Sequence, residues 1–303
     1  MAPQANGVTP DVVDDVPNAF ESHAVELGEV TLHAVSAGQR GRPLVLFLHG
    51  FPEFWWSWRH QLTAFADAGF FAVAPDLRGF HRSDKPRAVA AYRMKRLEAD
   101  VAGLIRAFGA EQAVIVGHDW GGLIAFSFAA RHPELVRRLC VLNAPHPSEF
   151  VGRLVSPKQL LRSWYVFFFQ LPALPERWLA AQDFARLAAT FERDGLDHET
   201  ATRYAEAARS AGDALRGGIN YYRASVRALF RGQSPTLPAI LAPTLVIWGT
   251  GDKYLDPAFA RPRPEHVANL RTEFVPHGTH WVQQVAPGRV NELLLEFVSS
   301  AGA

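Results

Sequence analysis

Between Pro43 and Gly50 the chain reads PLVLFLHG, an apolar run that stops on a glycine. A run with no polar alternation fits a strand covered on both faces, the condition of a strand inside a parallel sheet. The signature returns in QAVIVGH, just before residue 119, and in PTLVIWG, just before residue 250. WSWRHQLTAFADAG, RLEADVAGLIRAFGA and WGGLIAFSFAARHP carry apolar residues at helical spacing. FFAVAPDLRG and VRRLCVLNAP read as strands, and HAVELGEVTLHAVSAG as a hairpin of two alternating strands. Strands alternating with helices of this length indicate βαβ units and a mostly parallel sheet.

The rhythm breaks at Pro147. From there to Leu237 only helical patterns occur, separated by prolines and aromatic residues. Strand signals resume at APTLVIWGTGD. A helix near DPAFARPRPEHV, a strand at LRTEFVP and a last helix at PGRVNELLLEFVSS are expected after it. The chain therefore divides into a tail over 1–19, an α/β core over 20–146 and 238–303, and a helical cap over 147–237. A helical insertion inside such a sheet belongs over its C-terminal edge, where open α/β sheets bind ligands.

Composition narrows the function classes. The 303 residues carry a net charge of +1 and no basic run, so nothing points to a nucleic-acid partner. One cysteine, Cys140, is too few for an internal disulfide or a structural zinc site, and it reads as an inert buried thiol. No apolar run approaches the roughly 20 residues of a membrane span. The N-terminal MAPQANGVTPDVVDDVP has neither a basic region nor an apolar core, so a cytoplasmic protein is expected.

The chemistry is concentrated at the ends of the strands. GHDWGG, residues 117–122, has the pattern of a nucleophile elbow with Asp119 where a serine usually stands. An Asp N-cap would explain Asp119 by itself. The other strand ends argue for more. WGTGDKYLDP places Asp252 after one strand, and VPHGTHW places His280 after the next. Asp119, Asp252 and His280 occur in the nucleophile, acid, base order of the α/β-hydrolase fold. Asp256, the rival acid, precedes Pro257 and is better read as a helix cap. HGFPEF follows the first buried strand, where this fold supplies one oxyanion-hole N–H. Phe51 and Trp120, through their backbone N–H groups, are the two expected donors. A cis bond between Phe51 and Pro52 is compatible with that loop. His49 and His118 are read as structural hydrogen-bonders, and Arg78 as half of an ion pair.

HGFPEFWWSWRHQL, DLRGFHRSDKP, GHDWGG, NAPHP, NYYRA, GDKYL and HGTHW together resemble the α/β-hydrolase-fold epoxide hydrolases, from about residue 20 onward. Most of these motifs are shared with haloalkane and haloacetate dehalogenases. The resemblance implies a mostly parallel eight-stranded sheet flanked by helices, with an inserted all-helical cap, working without cofactor or metal. It implies that Asp119 attacks an sp³ carbon and forms an ester, and that His280, oriented by Asp252, activates the water that hydrolyses it.

The leaving group separates the two chemistries. Halide leaves as a stable anion, whereas an epoxide oxygen leaves as a basic alkoxide and needs a proton, which a phenol can supply. The resemblance assigns that role to Tyr165, early in the cap, and to Tyr222 in NYYR, with Tyr221 as its rival. A dehalogenase with the same triad is the alternative. Against it, Phe51 stands where haloalkane dehalogenases often use Asn or Trp, and Trp120 where fluoroacetate dehalogenases use Arg. Asn143 cannot ionise, which leaves Asp252 as the acid. Trp55, Trp120, Trp164, Phe167 and Trp281 are candidates for an apolar substrate pocket, and core packing accounts for each equally well. The expected partners are a small apolar epoxide and water. A homodimer is admitted, but no motif fixes the oligomeric state.

Overall fold

The computed structural model describes residues 7–10, 16–154, 156–233 and 236–300. Nine strands form one sheet among them. They are β1 (Val8–Pro10), β2 (Glu21–Glu26), β3 (Thr31–Ala37), β4 (Leu44–Leu48), β5 (Phe71–Pro75), β6 (Ala113–His118), β7 (Val136–Leu142), β8 (Thr244–Gly249) and β9 (Leu270–Val275). Their order is β1-β2-β3-β5-β4-β6-β7-β8-β9. The pairs from β1 to β5 are antiparallel, and every pair from β5 to β9 is parallel.

The eight strands expected from the sequence become nine. The extra one, β1, lies inside the segment read as a tail and pairs with β2 through Val8, Thr9 and Pro10. It covers backbone groups that an open edge would leave unpaired. Three residues are too short to carry an alternation signal. Residues 1–6 and 11–15 of that tail lie outside the described residues.

The apolar runs behave as their composition demands. All residues of β4, β5, β6 and β8 are buried. The helices are α1 (Arg59–Asp67), α2 (Met94–Ala107), α3 (Trp120–Arg131), α4 (Pro147–Leu154), α5 (Pro157–Arg162), α6 (Trp164–Phe168), α7 (Leu174–Leu179), α8 (Ala185–Arg193), α9 (His198–Ser210), α10 (Ala214–Phe230), α11 (Val282–Val285) and α12 (Pro287–Ser299). Helix α1 packs on α12, and α2 on α3. Phe47 of β4 meets Trp58 and Phe65 with ring centroids 5.3 and 5.2 Å apart. Each such ring, fully buried, is worth about 1.5–3 kcal/mol of transfer free energy.

Among the described residues, seven helices, α4 to α10, separate β7 from β8. The helix expected near DPAFARPRPEHV is reduced to a 3₁₀ turn over Pro257–Ala260. Pro262 and Pro264 follow, and neither can donate the N–H a helix needs. Asp256 caps this turn by accepting the Ala258 N–H at 3.0 Å. Among the described residues, no helix is long and apolar enough to cross a membrane.

Candidate active site

Asp119 joins β6 to α3 in a single residue, at φ +50° and ψ −117°. Such a conformation costs a non-glycine residue about 1–3 kcal/mol. Two glycines admit the geometry. A Cβ on Gly121 would sit 2.0 Å from the Leu48 carbonyl oxygen, so α3 could not approach β4. A Cβ on Gly50 would lie 2.5 Å from that of Asp119.

The loops after the parallel strands then converge. His280 Nε2 lies 3.6 Å from Asp119 Oδ2. Its Nδ1 is 2.8 Å from Asp252 Oδ2. Because a carboxylate oxygen can only accept, His280 Nδ1 carries a proton. Asp252 is held in turn by the Asn143 side-chain amide at 2.7 Å and by the Tyr254 and Leu255 N–H groups at 2.7 and 3.0 Å. The Phe51 N–H donates to Asp119 Oδ1 at 2.9 Å. The Phe51–Pro52 bond is cis. Trp120 opens α3 directly after the carboxylate. Among the hydrogen bonds of the described residues, none runs from the Trp120 N–H to Asp119.

Electrostatics follow from this packing. Burial pushes the Asp119 and Asp252 carboxyls up, but the His280 imidazole outweighs it, and both end below the usual carboxylate range. Burial also works against charge on His280. The two carboxylates, Asp252 foremost, reverse this and hold its pKa well above the ordinary imidazole value. The resting site is thus an imidazolium between two carboxylates. The Asp119 side chain keeps 14% exposure, enough to be reached.

Tyr165 and Tyr222 come together over this centre, with ring centroids 5.9 Å apart. Tyr222 also packs on Phe51 at 5.6 Å and on Trp120 at 4.9 Å. Burial, and then the charge of Asp119, raise both phenols well above their usual pKa, so both carry their protons. The rival Tyr221 is committed elsewhere. Its hydroxyl donates to the Arg78 carbonyl at 2.8 Å. Arg78 itself makes a two-pronged pair with Asp100 at 2.6 and 2.5 Å.

The pocket candidates divide. Trp281 packs on His280 and Tyr254 at 5.4 and 5.8 Å, beside the triad. Trp120 lies against Tyr222. Trp55 instead packs on Phe20, Phe54 and Trp56 and has no ring contact with the Asp119 group. Trp164 and Phe167 are 53% and 50% exposed, on the outer side of α6. The helical phase puts Ser163, Val166 and Phe169 inward, and this five-residue helix turns Trp164 and Phe167 away from the site. A cavity of about 780 Å³ lies elsewhere, lined by Val16, Phe54, His81 and Arg203 among others, without Asp119.

Several residues at the site carry no clear mark in the sequence. Glu53, fully enclosed, accepts from the Gly50 N–H at 3.0 Å, from His118 Nδ1 at 2.8 Å, and from the Gln283 and Gln284 amides at 3.1 and 2.8 Å. His118 Nε2 donates to the His280 carbonyl at 2.9 Å. Glu53 and His118 therefore tie the Phe51 loop to the His280 loop. An acid at the fifth position of HGFPEF, amid apolar neighbours, was the only signal. Asn143 was read only as a residue that cannot ionise. It also accepts the Gly249 N–H at 2.9 Å, so it fixes Asp252 from β7.

A doubly wound sheet with a strained carboxylate elbow and an Asp–His pair at the same edge defines a hydrolase of the α/β class. The alpha/beta hydrolase fold family matches residues 43–287. Epoxide hydrolase 3 of Xenopus tropicalis is 40% identical over 279 residues, 89% of this chain and 75% of that protein. The AB hydrolase superfamily protein YfhM of Bacillus subtilis is 38% identical, over 91% of this chain and 97% of that one. The crystal structure of an epoxide hydrolase from Bacillus megaterium, in complex with an inhibitor, superposes with a TM-score of 0.81 at 30% identity, covering 89% of this chain and 98% of that one. The chain belongs to the α/β-hydrolase-fold family and, within it, to the epoxide hydrolases.

Proposed function

We propose that this hydrolase opens a small apolar epoxide to a vicinal diol through an ester of Asp119. The observation that carries the reading is the pair of protonated, buried phenols, Tyr165 and Tyr222, held over a strained carboxylate.

Asp119 attacks an epoxide carbon, the C–O bond breaks, and a tyrosine gives its proton to the departing oxygen. This kind of proton transfer is worth roughly 10²–10⁴ in rate. Attack converts Asp119 into a neutral ester. His280 then loses one of the two anions that raise its pKa, and its Nε2 proton passes through solvent to the tyrosinate left by the first step, which restores the phenol and leaves His280 as a base. Nε2 stands 3.6 Å from the carboxylate oxygen, so a water lying alongside the pair, rather than between them, can reach both Nε2 and Cγ. That water attacks Cγ of Asp119. The Phe51 N–H, already on Oδ1, and the Trp120 N–H receive the negative charge that develops on the ester carbonyl. Asp252 keeps the imidazole tautomer and offsets its charge. Residues 147–237 act as the cap that brings both tyrosines over the nucleophile.

The dehalogenase alternative needs an indole N–H free to bind halide. The two protonated phenols beside Asp119 suit a departing alkoxide, which needs a proton, better than a halide, which does not. Product analysis with styrene oxide and a bromoalkane in parallel tests the choice. Diol from the first without halide from the second supports it. Halide release without epoxide opening overturns it.

A further inference from the structure

Helices α5, α6 and α7 turn an apolar face outward. Leu160, Leu161, Trp164, Phe167, Leu174 and Trp178 are all exposed, Leu161 at 77%. Ring contacts make the face continuous. Trp164 meets Phe168 at 5.7 Å and Trp178 at 6.3 Å, and Phe168 meets Trp178 at 5.8 Å. Isolated apolar residues on a surface need no explanation, but a contiguous patch of this kind marks an interaction site.

Charge chooses the partner. Between Glu149 and Glu176 the sequence has no Asp or Glu, and Arg162 in that span turns inward to donate to the Leu255 carbonyl at 2.8 Å. Glu176 is engaged by Arg223 at 2.6 Å. Exposed Arg177 follows it, and the Arg186 guanidinium lies 4.7 Å from the centre of the Trp178 ring. Leu, Phe and Trp with Arg177 and Arg186 beside them is the composition of a surface that rests in the headgroup layer of anionic lipid. A second copy of the chain fits less well. A two-fold dimer about this face would bring Arg177 and Arg186 of both copies together, while Glu176 and Asp183 are already held by Arg223 and Arg209.

We propose that the α5–α7 face seats this protein on an anionic lipid surface. The opposite side of α6 carries Tyr165, one helix thickness away, roughly 10–12 Å. Apolar molecules dissolved in the lipid are then delivered beside the candidate site. The proposal does not depend on which reaction that site performs.

Co-sedimentation of the full chain with vesicles of phosphatidylcholine plus phosphatidylglycerol, against phosphatidylcholine alone, tests it. The expected result is binding to the anionic vesicles that weakens with salt and falls about tenfold or more in Leu161→Glu/Leu174→Glu. Arg177→Glu, which leaves the apolar face intact, lowers it as well. Thermal unfolding of both variants matches the unaltered chain. No binding by the unaltered chain overturns the proposal, as does equal binding to both vesicle types or equal binding by the double variant. So does a concentration-dependent dimer in sedimentation velocity that the double variant abolishes while vesicle binding is absent.

Discussion

His280 Nε2 stands 3.6 Å from Asp119 Oδ2, while His280 Nδ1 is bound to Asp252 at 2.8 Å. The imidazole is locked on its far side and open on its near side. That asymmetry separates the two steps of the proposed reaction, because attack by Asp119 needs no base and ester hydrolysis does.

Removal of each partner should therefore stop the enzyme at a different place. Asp119→Asn is expected to lower kcat by about 10⁴-fold or more, with no adduct. His280→Gln is expected to make the ester and hold it. Intact-protein mass spectrometry after mixing with epoxide should then show a one-substrate mass increase, localised to the Asp119 peptide. An adduct in the Asn variant, or none in the Gln variant, contradicts the assignment.

Tyr221 and Tyr222 are adjacent, yet their hydroxyls serve different ends. Tyr222→Phe and Tyr165→Phe are each expected to reduce epoxide opening, and the double variant to reduce it by about 10²–10⁴. Thermal stability should change little. Tyr221→Phe should do the reverse. It leaves the buried Arg78 carbonyl short of a donor, a loss of about 1–3 kcal/mol in a denaturation midpoint, with kcat nearly intact.

The convergence of Asp119, Asp252 and His280 was legible because three chemical residues stood at three strand ends in a fixed order. Asp119, Asp252 and His280 each followed an apolar run that could only be a strand. What the sequence hid depends on contacts across the fold. Glu53 is separated by 65 positions from His118 and by more than 200 from Gln283, and only the assembled sheet brings them together. Trp164 and Phe167 sit in WYVFFF, where every phase of a helix is apolar, so hydrophobicity alone cannot say which face is inside. Strand β1 has three residues, fewer than a period-two pattern needs.

The pKa shifts set the order of two pH limbs. Asp119 must be ionised to attack, and its carboxyl titrates below the usual range. The rate of ester formation should therefore hold as pH falls, and decline only on passing through that depressed value. Ester hydrolysis requires neutral His280, whose pKa lies well above normal at rest and falls once Asp119 is esterified. Its acid limb should appear at higher pH than that of ester formation. Neither rate should fall on the alkaline side near the usual phenol pKa, because both tyrosines titrate above it. Pre-steady-state fluorescence across pH measures both rates, and coincident acid limbs would contradict the scheme.

Asp252→Asn keeps the shape of the side chain and removes its charge. His280 loses the partner that raises its pKa most, so the acid limb of ester hydrolysis should move to lower pH. The hydrolysis rate should drop by as much as about 10⁴-fold through loss of the correct tautomer. Ester formation should survive, so this variant too should accumulate the adduct. Loss of both steps together would mean that Asp252 supports the fold of the site rather than the base.

The central claim is that water attacks the enzyme and not the epoxide. A single turnover in H₂¹⁸O, with enzyme in excess over epoxide, separates the two directly. The expected result is ¹⁸O in the Asp119 carboxylate and none in the first diol, whose new oxygen comes from Asp119. Label in that diol, with Asp119 unlabelled, would contradict it.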